Sequence, residues 1–556
     1  MLITLMRTHI KGYVKNSHSM DQAELKRRVV RFLYEYIILI IVLIIGAIVW
    51  ANVFQSALVD YLATDRWNSR AVWLGGAGTG GLSPATFEIF GFTIQYQFEG
   101  YSDYSFFYVH WGHNILNGVL PYSTEFGHLE MDGITNNNGL YIFPPLTAIF
   151  YAIGILIPVD NWGIGLLIAS FGYFTALPVY GIGHELSSNR HVGEAAALTY
   201  LLAPNVLYHT TFLWTNPAPF IFFFFSGFYM LTKGKRHTGT LLIVTAALFK
   251  QTAWFLGIPL VVFLLMRSRD SEEGSAQSKD MPRLQALRKA VGRYLDLWQF
   301  IISVIIVIIF AGVIMFPFII AQPVEIWINL RLAMGGFPLE SFTNPPPYSS
   351  PMRFQVLLVM ASLPTLAELI DSLIFSGFLL VLGVIVLAGL MFLEPKREGE
   401  TKVYLRRLLF LTMLMMLWVN LMGPRGVYKY YFTLMAPFFS IFSSASMASS
   451  MESDIGFSVS MIWAPILFSL MILIPVRNVY LAYVLLIFLI YVFVNQVGDF
   501  WYYLTAPGRW IRKRTSMFAP LTSRFLSLHE RLTAFIYPEE FSQEMTIVDE
   551  HRETES

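Results

Sequence analysis

Apolar runs recur along the chain from Ile37 to Val494, each broken by a short polar or basic stretch. Many approach the ~20 residues that carry a helix across a hydrocarbon core. The pattern predicts helices at Phe32–Trp50, Gly163–Gly183, Ala195–Thr211 and Pro217–Leu231. A short pair then meets at Lys250-Gln251, from Leu241–Phe249 and Thr252–Leu265, and Trp298–Ile320 and Ser372–Leu393 follow. Leu408–Met422, Tyr431–Ser449, Val459–Ile474 and Tyr480–Asn495 complete the set. The run Pro144–Ile157 is short for a span and opens on two prolines, so it reads as a helix lying in the outer membrane interface. Phe354–Leu369 is a candidate for another. The fold expected is an all-α polytopic membrane protein of about twelve transmembrane helices, with interfacial helices in its first outer loop.

Cytoplasmic loops retain Lys and Arg, which orients the helices. With Met1–Arg31 inside, thirty of the 38 Lys and Arg residues fall on the inner side over twelve crossings. Both termini are then cytoplasmic. The expected organisation is a basic N-terminus at 1–31, a membrane domain at 32–497 and a cytoplasmic tail at 498–556. Within the membrane domain, 51–162 forms the first outer loop, 268–296 a cytoplasmic loop and 322–352 another outer loop. About thirty residues precede the first apolar run, which is long enough to span, so it reads as a retained anchor rather than a cleavable signal.

Composition sharpens this picture. Hydrophobic residues make up 55% of the 556 and charged residues 13%, about half the charged share of a soluble domain. A net charge of +1 gives no reason to expect nucleic acid as a partner, and the lipid bilayer is the expected surroundings. Cysteine is absent, which excludes disulfides, metal–thiolate sites and a thiol nucleophile. A large outer segment without disulfides fits a prokaryotic cell membrane, with the working face outside.

The chemistry is expected in the outer segment. Asp103 opens an aromatic-rich run containing Tyr104, Phe107, Tyr108 and Trp111, and the pattern to Asn117 suits a short amphipathic helix broken at Gly118 and ended by Pro121. At the N-cap, on the water–lipid boundary, its carboxylate can accept a proton from a hydroxyl group. Asp is also a preferred capping residue, and the two roles are compatible. Arg425 and Lys429, in Met422-Gly-Pro-Arg-Gly-Val-Tyr-Lys-Tyr-Tyr431, break the positive-inside trend where a membrane-bound phosphate would lie. They suit a phosphate clamp, with snorkelling to lipid headgroups as the plain alternative. Lys250 lies between apolar arms, where a charge costs about 2.5–3.5 kcal/mol unless it faces a polar cavity or pairs with a carboxylate. His110 and His113 are three residues apart, a spacing that can bind metal, but without a nearby acidic pair they read as structural or substrate contacts. Glu99 can orient Asp103, hold a metal with it, or be a plain solvated loop residue, the reading that carries most weight. No metal site and no cofactor are expected.

Asp103-Tyr104, then Tyr108, Asn117-Gly118, Leu120-Pro121-Tyr122 and Phe143-Pro144-Pro145-Leu146 resemble the first outer loop of the GT-C membrane glycosyltransferases. The likeness is nearest to polyprenol-phosphate-mannose-dependent mannosyltransferases. It is weaker to the catalytic subunit of the first glycosylphosphatidylinositol mannosyltransferase. It covers about 45 residues well and the remainder loosely. It implies an inverting transfer of a hexose, mannose by the likeness, with Asp103 as base and an isoprenoid phosphate leaving. The donor is a polyprenyl- or dolichyl-phosphate sugar. The acceptor is a hydroxyl of a glycolipid, glycan or envelope polymer. Tyr430-Tyr431 with Pro437 resembles a further family pattern. Tyr104, Tyr122, His110, His113 and Glu99 become substrate-contact candidates, and Tyr430 joins Lys250, Arg425 and Lys429 on the donor phosphate. Two features depart from the relatives. Tyr101 stands where the glycosylphosphatidylinositol enzymes have the first Asp of Asp-x-Asp, which counts against a metal-dependent reading, and no Trp-Trp-Asp motif of oligosaccharyltransferases occurs. The rival classes are a lipid-linked oligosaccharide flippase, which would show repeats and charges within spans, and an envelope polysaccharide polymerase or ligase.

Overall fold

The structure, a computed structural model, describes residues 22–64, 85–89, 91–96, 103–127, 129–131, 134–136, 141–266, 295–332, 354–394, 401–424, 427–448, 466–474 and 477–494. The helical body is Met1–Leu489; of a second unit, Ile490–Ser556, only the first residues are described. The described residues are overwhelmingly helical. Among the described residues, four helices are long and apolar enough to cross a membrane: Glu35–Leu62, Gly163–Ser187, Leu297–Ala321 and Thr401–Met422. The pair Pro364–Phe375 and Phe378–Leu393, bent by 71° at Gly377, whose φ of +73° is left-handed, makes a fifth if counted as one span. The other expected spans are shorter apolar helices or lie partly outside the described residues.

Helix α1 runs Gln22–Thr64, past the end expected at Trp50. Trp50 is not a membrane-interface anchor: it is buried, its indole N–H donates to the Leu201 carbonyl at 2.9 Å, and Tyr173 packs edge-on against it. The stretch from Ala85 to Asn136 also holds two small antiparallel hairpins, which the all-helical reading did not contain. Strand β1, Ala85–Ile89, pairs with β2, Phe92–Tyr96, around a left-handed Gly91; β3, Leu129–Met131, pairs with β4, Ile134–Asn136.

Asp103 heads a π-helical turn, Tyr104–Tyr108, that continues as α2, Val109–Leu116. Helix α2 ends at Asn117, with Gly118 at φ +79°, where the sequence places its break. Helix α3, Pro145–Leu156, starts on a proline that gives up no needed N–H. It packs against α2, and Tyr151 stacks on Tyr108 at 4.6 Å.

Helices α4, Gly163–Phe174, and α5, Ala176–Ser187, run on as one candidate span. A left-handed Ser188 ends α5, and Asn189 caps α6, Arg190–Leu201, by accepting from the His191 N–H at 2.9 Å. Helices α7, Pro217–Thr232, and α8, Arg236–Phe249, form an antiparallel pair turned at Gly234. Glycines set these approaches: Gly183 faces Gly193 between α5 and α6, and Gly227 faces Gly239 between α7 and α8. Small residues let apolar helices close on each other where hydrophobic exclusion gives little drive.

Helix α9, Gly257–Leu265, leads to α10, Leu297–Ala321, and the kinked pair forms α11, Pro364–Phe375, and α12, Phe378–Leu393. Helix α13, Thr401–Met422, starts earlier than the expected Leu408 and is buried along most of its length. After it come a tight turn at Lys429–Leu434 and α14, Met435–Ala448; α15 is Arg477–Val494.

Candidate functional site

Four chain segments meet around Tyr430. Asp103 is half-buried at the head of the π-turn. Its backbone carbonyl accepts from the Phe107 and Tyr108 amides, while its carboxylate makes no capping hydrogen bond. The side chain therefore does not serve as the helix cap. Its charge reaches two phenols. Tyr151 is pushed well above its ordinary value, by burial first and then by Asp103. Tyr430 is raised likewise, by loss of solvation, then Tyr431, then Asp103.

Lys250 arrives from α8. The residue is extended, with φ −152° and ψ 137°, and separates α8 from the tight helical turn Gln251–Leu256. Its ammonium is buried, donates to Asn216 Oδ1 at 3.2 Å, and lies 5.3 Å and 4.7 Å from the ring centroids of Tyr430 and Tyr431. Cation–π attraction of this kind is worth about 2 kcal/mol once water is excluded. Thr147 donates to the Phe249 carbonyl and Gln251 to that of Ile142, which ties the end of α8 to the segment preceding and opening α3. Lys250, Asp103 and Tyr430 thus occupy one neighbourhood, although they are far apart in sequence.

The other expected residues fall differently. Lys429 is buried; its ammonium donates to the Ile474 carbonyl at 2.8 Å and lies 5.2 Å from the Tyr480 ring, pinning the turn to the segment before α15. Arg425 and Glu99 lie outside the described residues. Tyr104 is wholly buried, 4.7 Å from Trp214; its hydroxyl donates to the Asn161 carbonyl at 2.7 Å and accepts from the Gly165 N–H at 2.9 Å. Its ring and hydroxyl lock the π-turn onto α4. Tyr122 is buried and donates to the Phe143 carbonyl at 2.9 Å, and burial pushes its phenol up. His110 accepts from the Asn114 amide at 3.0 Å, and exposed His113 meets Asn161 Oδ1 at 2.8 Å. Each histidine is held by its own asparagine, an arrangement that fixes loop geometry.

Sequence reading missed Asn216, Tyr151, Asn205 and His209. Asn216 was legible in principle, as the polar residue beside Pro217 that opens an apolar helix. The remaining three sit in apolar or aromatic company with no motif to mark them. The chain matches no protein-family model and no curated protein.

Proposed function

We propose that the chain is an inverting membrane glycosyltransferase that moves a hexose from a polyprenyl-phosphate carrier to a hydroxyl acceptor. The observation that carries this reading is the buried Lys250 ammonium seated against the Tyr430 ring, a phenol that the charge of Asp103 also reaches. The resemblance of residues 103–146 to the GT-C first outer loop supports it. In this reaction Asp103 takes the proton of the acceptor hydroxyl as its oxygen attacks the anomeric carbon. The bond from that carbon to the phosphate oxygen breaks, and its electron pair leaves on the phosphate. Lys250, with Arg425, holds the growing phosphate charge, which contributes most in a dry site. Lys429 keeps the Tyr430 turn in place. Attack from the face opposite the leaving group inverts the anomeric centre.

Twelve crossings, cytoplasmic termini and a working face on the outer side of the membrane belong to the same proposal. They rest on the placement of Lys and Arg. The test is transfer by the purified full chain from radiolabelled polyprenyl-phosphate hexoses, mannose first. Asp103→Asn is expected to fold and express normally and to lose transfer. Undiminished turnover in that variant refutes the base.

A further inference from the structure

A short stretch beside Tyr430 carries buried polar groups that the scheme above does not use. Pro204 opens one helical turn, Pro204–Val206, which passes into the π-turn Leu207–Phe212. Asn205 is fully buried and His209 is 1% exposed. Among the described residues, neither polar atom of the Asn205 amide and neither ring nitrogen of His209 has a hydrogen-bond partner. Leaving one buried donor or acceptor unmade costs about 1–3 kcal/mol, and four such atoms lie four residues apart in sequence. The backbone here is not loose. The His209 carbonyl accepts from both the Thr215 N–H, at 2.9 Å, and the Thr215 hydroxyl, at 2.8 Å. Trp214 between them holds a left-handed φ of +52°, which is costly for a bulky residue and marks an imposed geometry.

The position is informative. The His209 ring lies 6.4 Å from that of Tyr430, a ring that Lys250 also approaches, at 5.3 Å. The Lys429–Leu434 turn packs against both the Pro204 turn and the π-turn. A neutral imidazole offers one donor and one acceptor, and an amide offers both kinds. An uncharged set of this type does not match a phosphate, which in its ionised form only accepts. It matches hydroxyl groups, which both give and take.

We propose that Asn205 and His209 bind hydroxyl groups of the sugar carried by the lipid phosphate, beside Tyr430. This rests on the glycosyltransferase reading and adds to it where the hexose lies.

The test compares binding of three lipids to the full chain in nanodiscs: short-chain polyprenyl-phosphate mannose, its glucose counterpart and bare polyprenyl phosphate. His209→Phe and Asn205→Leu are expected to weaken the sugar lipids about 10- to 100-fold, with bare polyprenyl phosphate changed less than about twofold. Lys250→Met should weaken all three. A set of single-deoxy mannosyl lipids offered to the wild-type chain gives the same information without substitution. At least one should lose about tenfold, and should lose nothing more in His209→Phe. If every deoxy lipid binds like its parent, or the variants weaken sugar-bearing and bare lipids alike, the sugar site is refuted and the two side chains are met by buried water. If the wild-type chain binds none of the three lipids, the glycosyltransferase reading falls first and this inference with it.

Discussion

Helix α8 begins at Arg236, whose guanidinium lies 3.5 Å from the Asp296 carboxylate, and ends at Lys250, whose ammonium lies against two tyrosine rings and the Asn216 amide. The two ends of this one rod handle charge differently. Around its start, charge meets charge. Lys233, just before it, pairs with Glu185, and on other helices Arg407 reaches Glu394 at 2.7 Å. Lys402 donates to the Ser188 hydroxyl, close to the turn between α5 and α6. Around its end, a cation rests on aromatic faces, and the amide and imidazole of Asn205 and His209 have no partner among the described residues. Opposite charges brought together stabilise helix ends and fix their placement. Aromatic faces hold a cation without the opposite formal charge that an ion pair brings. The first arrangement suits anchoring and the second suits binding.

Substitutions at the two ends should separate stability from transfer. The largest effect is expected at Asp103. Losing a general base costs about 10²–10⁴-fold, so Asp103→Asn should lower kcat by about a thousandfold, with the melting profile unmoved. Lys250→Met comes next. Removing a cation from a developing phosphate charge should lower kcat/KM by about 10²-fold, and Lys250→Arg should recover part of it; full activity in Lys250→Met would erase the contrast between the ends. Third is Glu394→Gln, at an ion pair of the anchoring kind on other helices. Glu394 is buried and Arg407 is partly open to solvent, so losing this pair should cost about 2–3 kcal/mol of stability, read as a lower unfolding temperature in detergent with transfer per folded molecule unchanged. The smallest is Lys233→Met, at a pair open enough to water that the loss stays within about 1 kcal/mol. If Lys233→Met reduces transfer as severely as Lys250→Met, the division between an anchoring and a binding end is wrong.

The placement of single residues shows what the sequence could reveal. The short helix after Asp103 and its stop at Gly118 were readable, because an amphipathic pattern and a glycine agree there, whereas the capping role open to Asp103 is not taken up by its side chain. The break at Lys250 was readable as well, since a lysine between apolar arms demands a polar surrounding. The end of α1 was not. Trp50 looks like an interface residue by type, and only the Leu201 carbonyl, remote in the chain, shows it to be interior. Ala195–Thr211 read as one uninterrupted helix, but Pro204 stops it and the chain re-forms as a π-turn. That turn changes which residues share a face, so periodicity gave no hint that His209 looks toward Tyr430. Burial also ran against hydropathy. Helix α10 is strongly apolar and buries only Ser303, whereas α13, with threonine and asparagine among its methionines, is mostly interior. Against lipid, the outside of a bundle is its oiliest part.

Gly165 carries a consequence out of proportion to its size. A methyl group there would overlap the Trp214 indole, and Trp214 supports the Tyr104 ring while the Gly165 amide holds its hydroxyl. Asp103 is the next residue back from Tyr104. One missing carbon atom on α4 is thus a spacer that sets where the carboxylate stands, and filling it would displace that group without touching it.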